Sequence, residues 1–338
     1  MSTLRRPESS ATKHMLTINT FCKTLAISAI CAVTLPLTAA EIRLGIVGTD
    51  VSHVIHFSRL LNKAGEADHI EGARIVAAYK GGSPDVESSR TRVDVYAVDL
   101  AKTYGVEIVP DIPTLCSKVD GVLLESGDGR IHLEQARQIF AAHKPVFIDK
   151  PLASTLEDAR EIARLAKAAG VAWFSSSGLR FNELGTKYKY PDATGIDVWG
   201  PGPMEEHQHL DLSWYAIHPI ETLYTLMGMG CEEVTRVSGG DFKSGSDVVV
   251  GRWKDGRLGT VRTLRPSGGY GVVVFRPKAI VESPANPPFS YALLCKQIVE
   301  FFQTGKPPVP NEETLEIYAF MDAAQRSKEA GGKPTRLR

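Results

Sequence analysis

Ile42-Arg43-Leu44-Gly45-Ile46-Val47-Gly48, residues 42–48, is a short apolar run that stops at a glycine. A run of this length, bounded by a turn residue, suits a strand buried on both faces. A helix-like stretch follows through Phe57, Leu60 and Leu61. The same alternation then recurs. Strands are predicted at residues 73–79 (ARIVAAY), 107–109, 121–125 (GVLLE), 145–148 (PVFI) and 171–175. Helical patterns lie between them, clearest at 132–143 and 155–169. In the latter, Asp158, Glu161 and Arg164 share a polar face while Ile162, Leu165 and Ala166 suit a buried one, and Gly170 ends the helix. Apolar strands alternating with helices predict an α/β domain with a parallel sheet covered on both sides.

The texture changes after residue 180. Residues 183–213 are rich in Gly, Pro, His and charge, show no period, and read as one long functional loop. Trp214–Met227 reads as an apolar helix closed by Gly228 and Gly230. Between 232 and 281, VTRVSGG, DVVVGRW, LGTVRTLRP and YGVVVFR alternate, separated by Gly-rich or Asp-Gly turns. That is the pattern of an antiparallel meander. Residues 288–303 and 312–330 read as closing helices. The predicted second unit is therefore α+β with a mainly antiparallel sheet.

The chain has 338 residues, 43% apolar and 23% charged, with 39 basic against 39 acidic side chains. This composition excludes a disordered tail or a disulfide miniprotein. Neutrality leaves no basic stripe for nucleic acid. Residues 25–37 (LAISAICAVTLPL) form an uncharged run between Lys23 and Thr38-Ala39-Ala40. A basic start, a short apolar centre and small residues at the cut are the layout of a secretory signal, too short for a membrane span of about 20 residues. The expected organisation is thus a signal peptide at 1–40, a first domain at 41–175 and a second at 176–338, in a protein exported to the periplasm or beyond. Without residues 1–40 the chain has 35 basic and 38 acidic side chains, net −3, and keeps Cys116, Cys231 and Cys295. Three scattered cysteines offer no disulfide framework and no metal knuckle.

Five motifs in order carry a resemblance over about residues 42–338. They are Ser126-Gly127-Asp128-Gly129-Arg130-Ile131-His132, Phe147-Ile148-Asp149-Lys150-Pro151, Arg180-Phe181, Ala216-Ile217-His218-Pro219-Ile220-Glu221 and the tail from Pro307 to Ser327. Together they resemble the Gfo/Idh/MocA oxidoreductases, named after glucose–fructose oxidoreductase, inositol dehydrogenase and a rhizopine-catabolism protein. The resemblance implies a Rossmann-like first domain, a second domain for substrate and oligomerisation whose closing helices return to the first, and NAD(P)-dependent hydride transfer on a sugar, polyol or related hydroxyl compound. It makes Lys150 the residue shared by nicotinamide and substrate, and His218 the base that takes the hydroxyl proton. Hydride removal needs that proton taken as the carbonyl forms, and a histidine with an unperturbed pKa of about 6.5 suits the task. Homo-oligomers through the second sheet are implied as well.

The phosphate loop departs from the family. G-x-G-x-x-G falls on Gly48-Thr49-Asp50-Val51-Ser52-His53, with only the first glycine present. Asp50 brings a carboxylate to the expected diphosphate, while Ser52, His53 and the helix N-terminus can donate to an anion. The second strand ends Ala78-Tyr79-Lys80-Gly81-Gly82-Ser83, without the acid that grips a ribose diol. Lys80 and Ser83 favour NADP slightly over NAD. The expected cofactor residues are Gly45, Gly48, Thr49, Asp50, Ser52, His53, Lys80, His132, Asp149 and Lys150.

Glu205-Glu206-His207-Gln208-His209-Leu210-Asp211 supports a rival. On a strand, residues 207, 209 and 211 would share one face and could hold zinc or manganese for a non-redox hydrolase or lyase. A polar loop contacting sugar hydroxyls is the preferred reading, so Arg180, His207, His209 and Asp211 are assigned to substrate and no residue to a metal. An exported carbohydrate-binding protein is the third alternative.

Overall fold

The computed structural model describes residues 41–338, so the signal-peptide reading lies outside the described residues. The opening run forms β1 (Ile42–Val47) and is followed by α1 (His53–Asn62). Then come β2 (Ala73–Tyr79), α2 (Glu87–Arg90), α3 (Val93–Tyr104), β3 (Glu107–Val109), α4 (Ile112–Lys118), β4 (Gly121–Leu124), α5 (His132–Ala141), β5 (Val146–Ile148), α6 (Leu156–Ala169) and β6 (Trp173–Ser175). The six strands run parallel in the order β3-β2-β1-β4-β5-β6. This is the expected α/β sheet.

The strands are largely apolar because both faces are covered, with the charged residues Arg43, Arg74 and Glu107 exposed at or near the strand starts. Leu44, Ile46, Leu123, Phe147 and Phe174 pack toward α1 and α3, whereas Val47, Val122, Leu124, Ile148 and Trp173 pack toward α4, α5 and α6. The period of two assigns each neighbour to the opposite face. Gly45 is explained here: a Cβ there would stand 2.6 Å from Leu115 Cδ2, so α4 packs on bare backbone.

The second sheet holds seven strands. After α7 (Glu183–Thr186) come β7 (Gly195–Pro201), α8 (Ile217–Met227), β8 (Cys231–Gly240), β9 (Gly245–Trp253), β10 (Leu258–Arg265), β11 (Gly271–Arg276) and β12 (Ala279–Glu282). Helices α9 (Tyr291–Thr304) and α10 (Asn311–Glu329) follow, then β13 (Thr335–Arg336). The order is β12-β11-β7-β10-β9-β8-β13. Every pairing is antiparallel except β7 with β10. The sheet is mainly antiparallel, as expected.

β7 corrects the reading of residues 183–213 as one loop. Its Gly and Pro content masked a strand in which Ile196 and Val198 are buried, and its place between β11 and β10 supplies ladder bonds on both edges. The stretch from 202 to 210 is irregular and Asp211–Ser213 is a short 3-10 turn, so 207, 209 and 211 share no strand face.

Packing joins the two sheets. The core beneath α4, α5 and α6 runs on into α8, α10 and the second sheet, and α9 returns to the first sheet through Leu294, Ile298 and Phe301. Arg236 is fully buried among Asp247, Asp211 and Gln325.

Candidate active site

A cleft of about 800 Å³ opens at the carboxyl ends of β1 and β5 and is closed on the far side by α8 and the segment before α9. Ligands in open parallel sheets sit outside these strand ends. Asp50, Ser52, His53, Asp149, Lys150 and His218, six of the expected residues, line it.

The β1–α1 loop is built by hydrogen bonds. Gly48 has φ +93°, a conformation that L side chains rarely adopt, and its N–H donates to the Tyr79 carbonyl. The Thr49 N–H donates to the Lys80 carbonyl, and its buried hydroxyl donates to the Val93 carbonyl at 2.8 Å. Asp50 turns inward, where its Oδ1 accepts from the Gly127 N–H at 3.1 Å. α1 then opens with no side-chain cap and no acid in its first turn.

His218 sits in the first turn of α8. Its Nδ1 is 2.7 Å from Ser177 Oγ, and the rings of Tyr215 and Tyr270 stand edge-on to it with centroids at 5.2 and 6.3 Å. Burial, reinforced by Lys150, holds the imidazole well below its usual pKa, so it is neutral at neutral pH. The Ser177 N–H and the Ser176 hydroxyl both donate to Glu221, 2.7 Å away in each case. Arg180 clamps that same carboxylate and also reaches Glu313. Tyr291 completes the opposite wall, its ring 4.9 Å from that of His53 and stacked at 4.6 Å on His56.

Behind the loop lies a polar cluster. His53 Nδ1 is 2.8 Å from Asp149 Oδ2 and 4.0 Å from Glu125 Oε2. The shorter contact is out of line for an N–H···O bond, and neither carboxylate has a hydrogen-bond donor. Burial and the neighbouring Asp149 push the Glu125 carboxyl well above the carboxylate range. Burial opposes charge on Asp149 too, but His53 and Lys150 outweigh it and hold that carboxyl low.

Several expected residues lie elsewhere. Gly45 and Gly48 shape the backbone, and Thr49 ties the loop to the start of α3. Lys80 ion-pairs with Asp94, and Ser83 donates to Asp128 at 2.6 Å, so neither lines the cleft. His132 is buried with both ring nitrogens on carbonyls, Ser126 at 2.7 Å and Leu152 at 3.2 Å. Of the substrate set, Arg180 and Asp211 are corrected to buried ion networks, Asp211 joining Arg236 and Lys328. His207 pairs with Glu205 and His209 is exposed, so the metal set imagined at 205–211 is not assembled. Sequence reading missed Glu125, Ser177, Glu221, Tyr215, Tyr270 and Tyr291. Two of them carried a signal: Glu125 as an acid closing an otherwise apolar strand, and Glu221 as the acid that ends the His218 motif.

Residues 42–176 match the model of an oxidoreductase family described as having an NAD-binding Rossmann fold, GFO_IDH_MocA. None of the curated proteins matches the chain. Among solved structures, the chain is similar to myo-inositol 2-dehydrogenase from Lactobacillus plantarum (16% identity, 88% of this chain and 100% of that one covered, TM-score 0.70). It is similar to Lactobacillus casei myo-inositol dehydrogenase in complex with NAD(H) and myo-inositol (15%, 88% and 97%, 0.68). The apo scyllo-inositol dehydrogenase of the same organism gives 16% identity, 88% and 98% coverage and a TM-score of 0.69. At such identities the likeness shows the fold.

Proposed function

We propose, since residues 42–176 match the Gfo/Idh/MocA model of NAD-binding oxidoreductases, that this chain oxidises or reduces a hydroxyl carbon of a sugar or polyol with a nicotinamide coenzyme. One observation carries the reading. Lys150, at the end of β5, and a neutral His218, on α8, face one cleft that also receives the uncapped start of α1.

The residues fit a dinucleotide. An uncapped helix N-terminus without acid suits a diphosphate, and Asp50 has turned its Oδ1 onto the Gly127 N–H. From there the cleft runs one way to Ser88 and Arg92 and the other way to Lys150 and His218, room for the two ends of such a molecule. Ser52 and the first turn of α1 would hold the diphosphate, Ser88 and Arg92 the adenosine end, and Lys150 the nicotinamide end. Arg92, rather than Lys80, is the cation placed to meet a 2′-phosphate. When bound, the coenzyme supplies the hydride acceptor or donor.

The protein's own work is proton handling. With its Nδ1–H donated to Ser177 Oγ, His218 presents the Nε2 lone pair to a substrate hydroxyl and takes that proton as a carbonyl forms. Lys150 stabilises the oxygen while its charge develops. Tyr215, Tyr270 and Tyr291 give apolar faces on which sugar C–H edges can rest. The apolar run at 25–37 supports export of the chain.

The test is coenzyme binding by calorimetry, followed by polyol-dependent reduction of NAD or NADP. Saturable binding that K150M weakens, with turnover lost in H218N, supports the assignment. No binding at millimolar coenzyme overturns it.

A further inference from the structure

We propose that His53, Glu125 and Asp149 form a binding site for one divalent first-row cation, at the floor of the cleft and open toward its occupant. One ring nitrogen and two carboxylate oxygens, one atom from each residue, lie within 4.8 Å of one another. Ligand bonds of roughly 2.0–2.2 Å let three atoms so spaced close on one ion with small side-chain adjustments.

The second observation is the state of the two acids. Glu125 is 0% and Asp149 1% exposed, yet none of their four carboxylate oxygens has a hydrogen-bond partner. No Lys or Arg nitrogen among the described residues comes within 4.0 Å of either; His53 alone does. Burying carboxyl groups whose oxygens meet no hydrogen-bond donor is among the costlier arrangements in a protein interior, and buried charges are otherwise paired and hydrogen-bonded or bind metal. Other buried acids of this chain obey that rule: Asp128 meets Arg130, Ser83 and Gln208, and Asp247 meets Arg236 and Arg265. Asp50 meets it with one oxygen, on the Gly127 N–H, whereas this pair leaves all four oxygens without a donor and faces a third ligand type.

The donor set selects the ion. An imidazole nitrogen with two carboxylates and no thiolate suits Mn²⁺, Fe²⁺ or Zn²⁺ over Ca²⁺ or Mg²⁺, which favour all-oxygen shells. His53 and Asp149 line the cleft while Glu125 lies behind them. The ion would therefore have protein on one side and vacant coordination positions on the other, where oxygen atoms of a cleft occupant can bind. The site needs no coenzyme and stands whatever the outcome of the coenzyme assay.

The experiment uses protein spanning residues 41–338, stripped with chelator and titrated with Zn²⁺ or Mn²⁺ in the absence of coenzyme. Stoichiometry is read by elemental analysis, affinity by calorimetry, and Mn²⁺ also by electron paramagnetic resonance. The expected result is one equivalent per chain, weakened by at least about tenfold in E125Q and D149N. H53N, changed at the cleft surface, carries the test if either buried variant fails to fold. Absence of binding at millimolar metal, or binding equal in wild type and all folded variants, overturns the proposal.

Discussion

Glu221 links Arg180 to Ser177: its carboxylate accepts from the Arg180 guanidinium and from the Ser177 N–H, each at 2.7 Å. Ser177 in turn meets His218 at 2.7 Å. The arginine of the Arg-Phe motif thus acts on the base at two removes, without entering the cleft.

Replacing Ser177 with alanine removes the oxygen that orients His218. Turnover should fall by roughly tenfold or more, short of the whole factor of about 10²–10⁴ that a positioned base contributes. Coenzyme affinity should be unchanged. A loss of affinity equal to the loss of turnover would contradict a positioning role.

Burial and Lys150 hold His218 neutral in the fold. Its base form then persists on acidification past the ordinary value of about 6.5, so kcat should stay level from pH 8 to below 6. Stability moves the other way. Below about pH 6.5 the unfolded chain takes up a proton that the folded one refuses, so this histidine lowers stability as pH falls through that value. H218N should flatten that part of the stability–pH curve, measured by denaturant unfolding.

Asp247 is fully buried between Arg236 and Arg265. D247N should cost about 3–5 kcal/mol in urea unfolding, because it removes the carboxylate that Arg265 meets and one of the two that Arg236 meets, the other being Asp211. Burial opposes its charge, but Arg236, Ser238 and Arg265 hold its carboxyl below the usual range. Its stabilisation is complete above the unfolded value of about 3.9 and is lost as pH falls through the lower folded one. Loss already at pH 5 would refute the assignment.

Lys80 pairs with Asp94 outside the cleft. K80A should therefore leave the ratio of NAD to NADP affinity within about twofold of wild type, by titration calorimetry. R92A should shift that ratio against NADP.

Gly45 tests packing against binding. G45A places a Cβ against Leu115 and should cost about 1–3 kcal/mol of stability through overpacking, with coenzyme affinity retained in the folded fraction.

The first sheet was legible because its strands are continuous apolar runs whose two faces are both core; Ala73–Tyr79 and Glu107–Val109 match residue for residue. β7 was hidden because half its residues are Gly, Pro or polar, and its stability comes from the strands flanking it. The site divides on similar lines. Lys150 and His218 sit in motifs tied to strand ends and helix starts, which local sequence marks. Arg180 and Asp211 look identical to binding residues until partners distant in sequence, Glu313 and Arg236, are seen to neutralise them. Glu125 and Asp149 are separated by α5 and a whole β-strand, so only folding reveals that two acids share one space.

His132 spans that space from behind, one ring nitrogen on the Ser126 carbonyl and the other on that of Leu152. Those carbonyls belong to the turns that immediately follow Glu125 and precede α6. Burial lowers the pKa of this imidazole, and in its neutral form it has one N–H to donate, so it bonds one of the two carbonyls at a time and packs between both turns. Protonation of the ring, which adds the second N–H, would let it hold both turns at once and tie the strand end at Glu125 to the entry of α6.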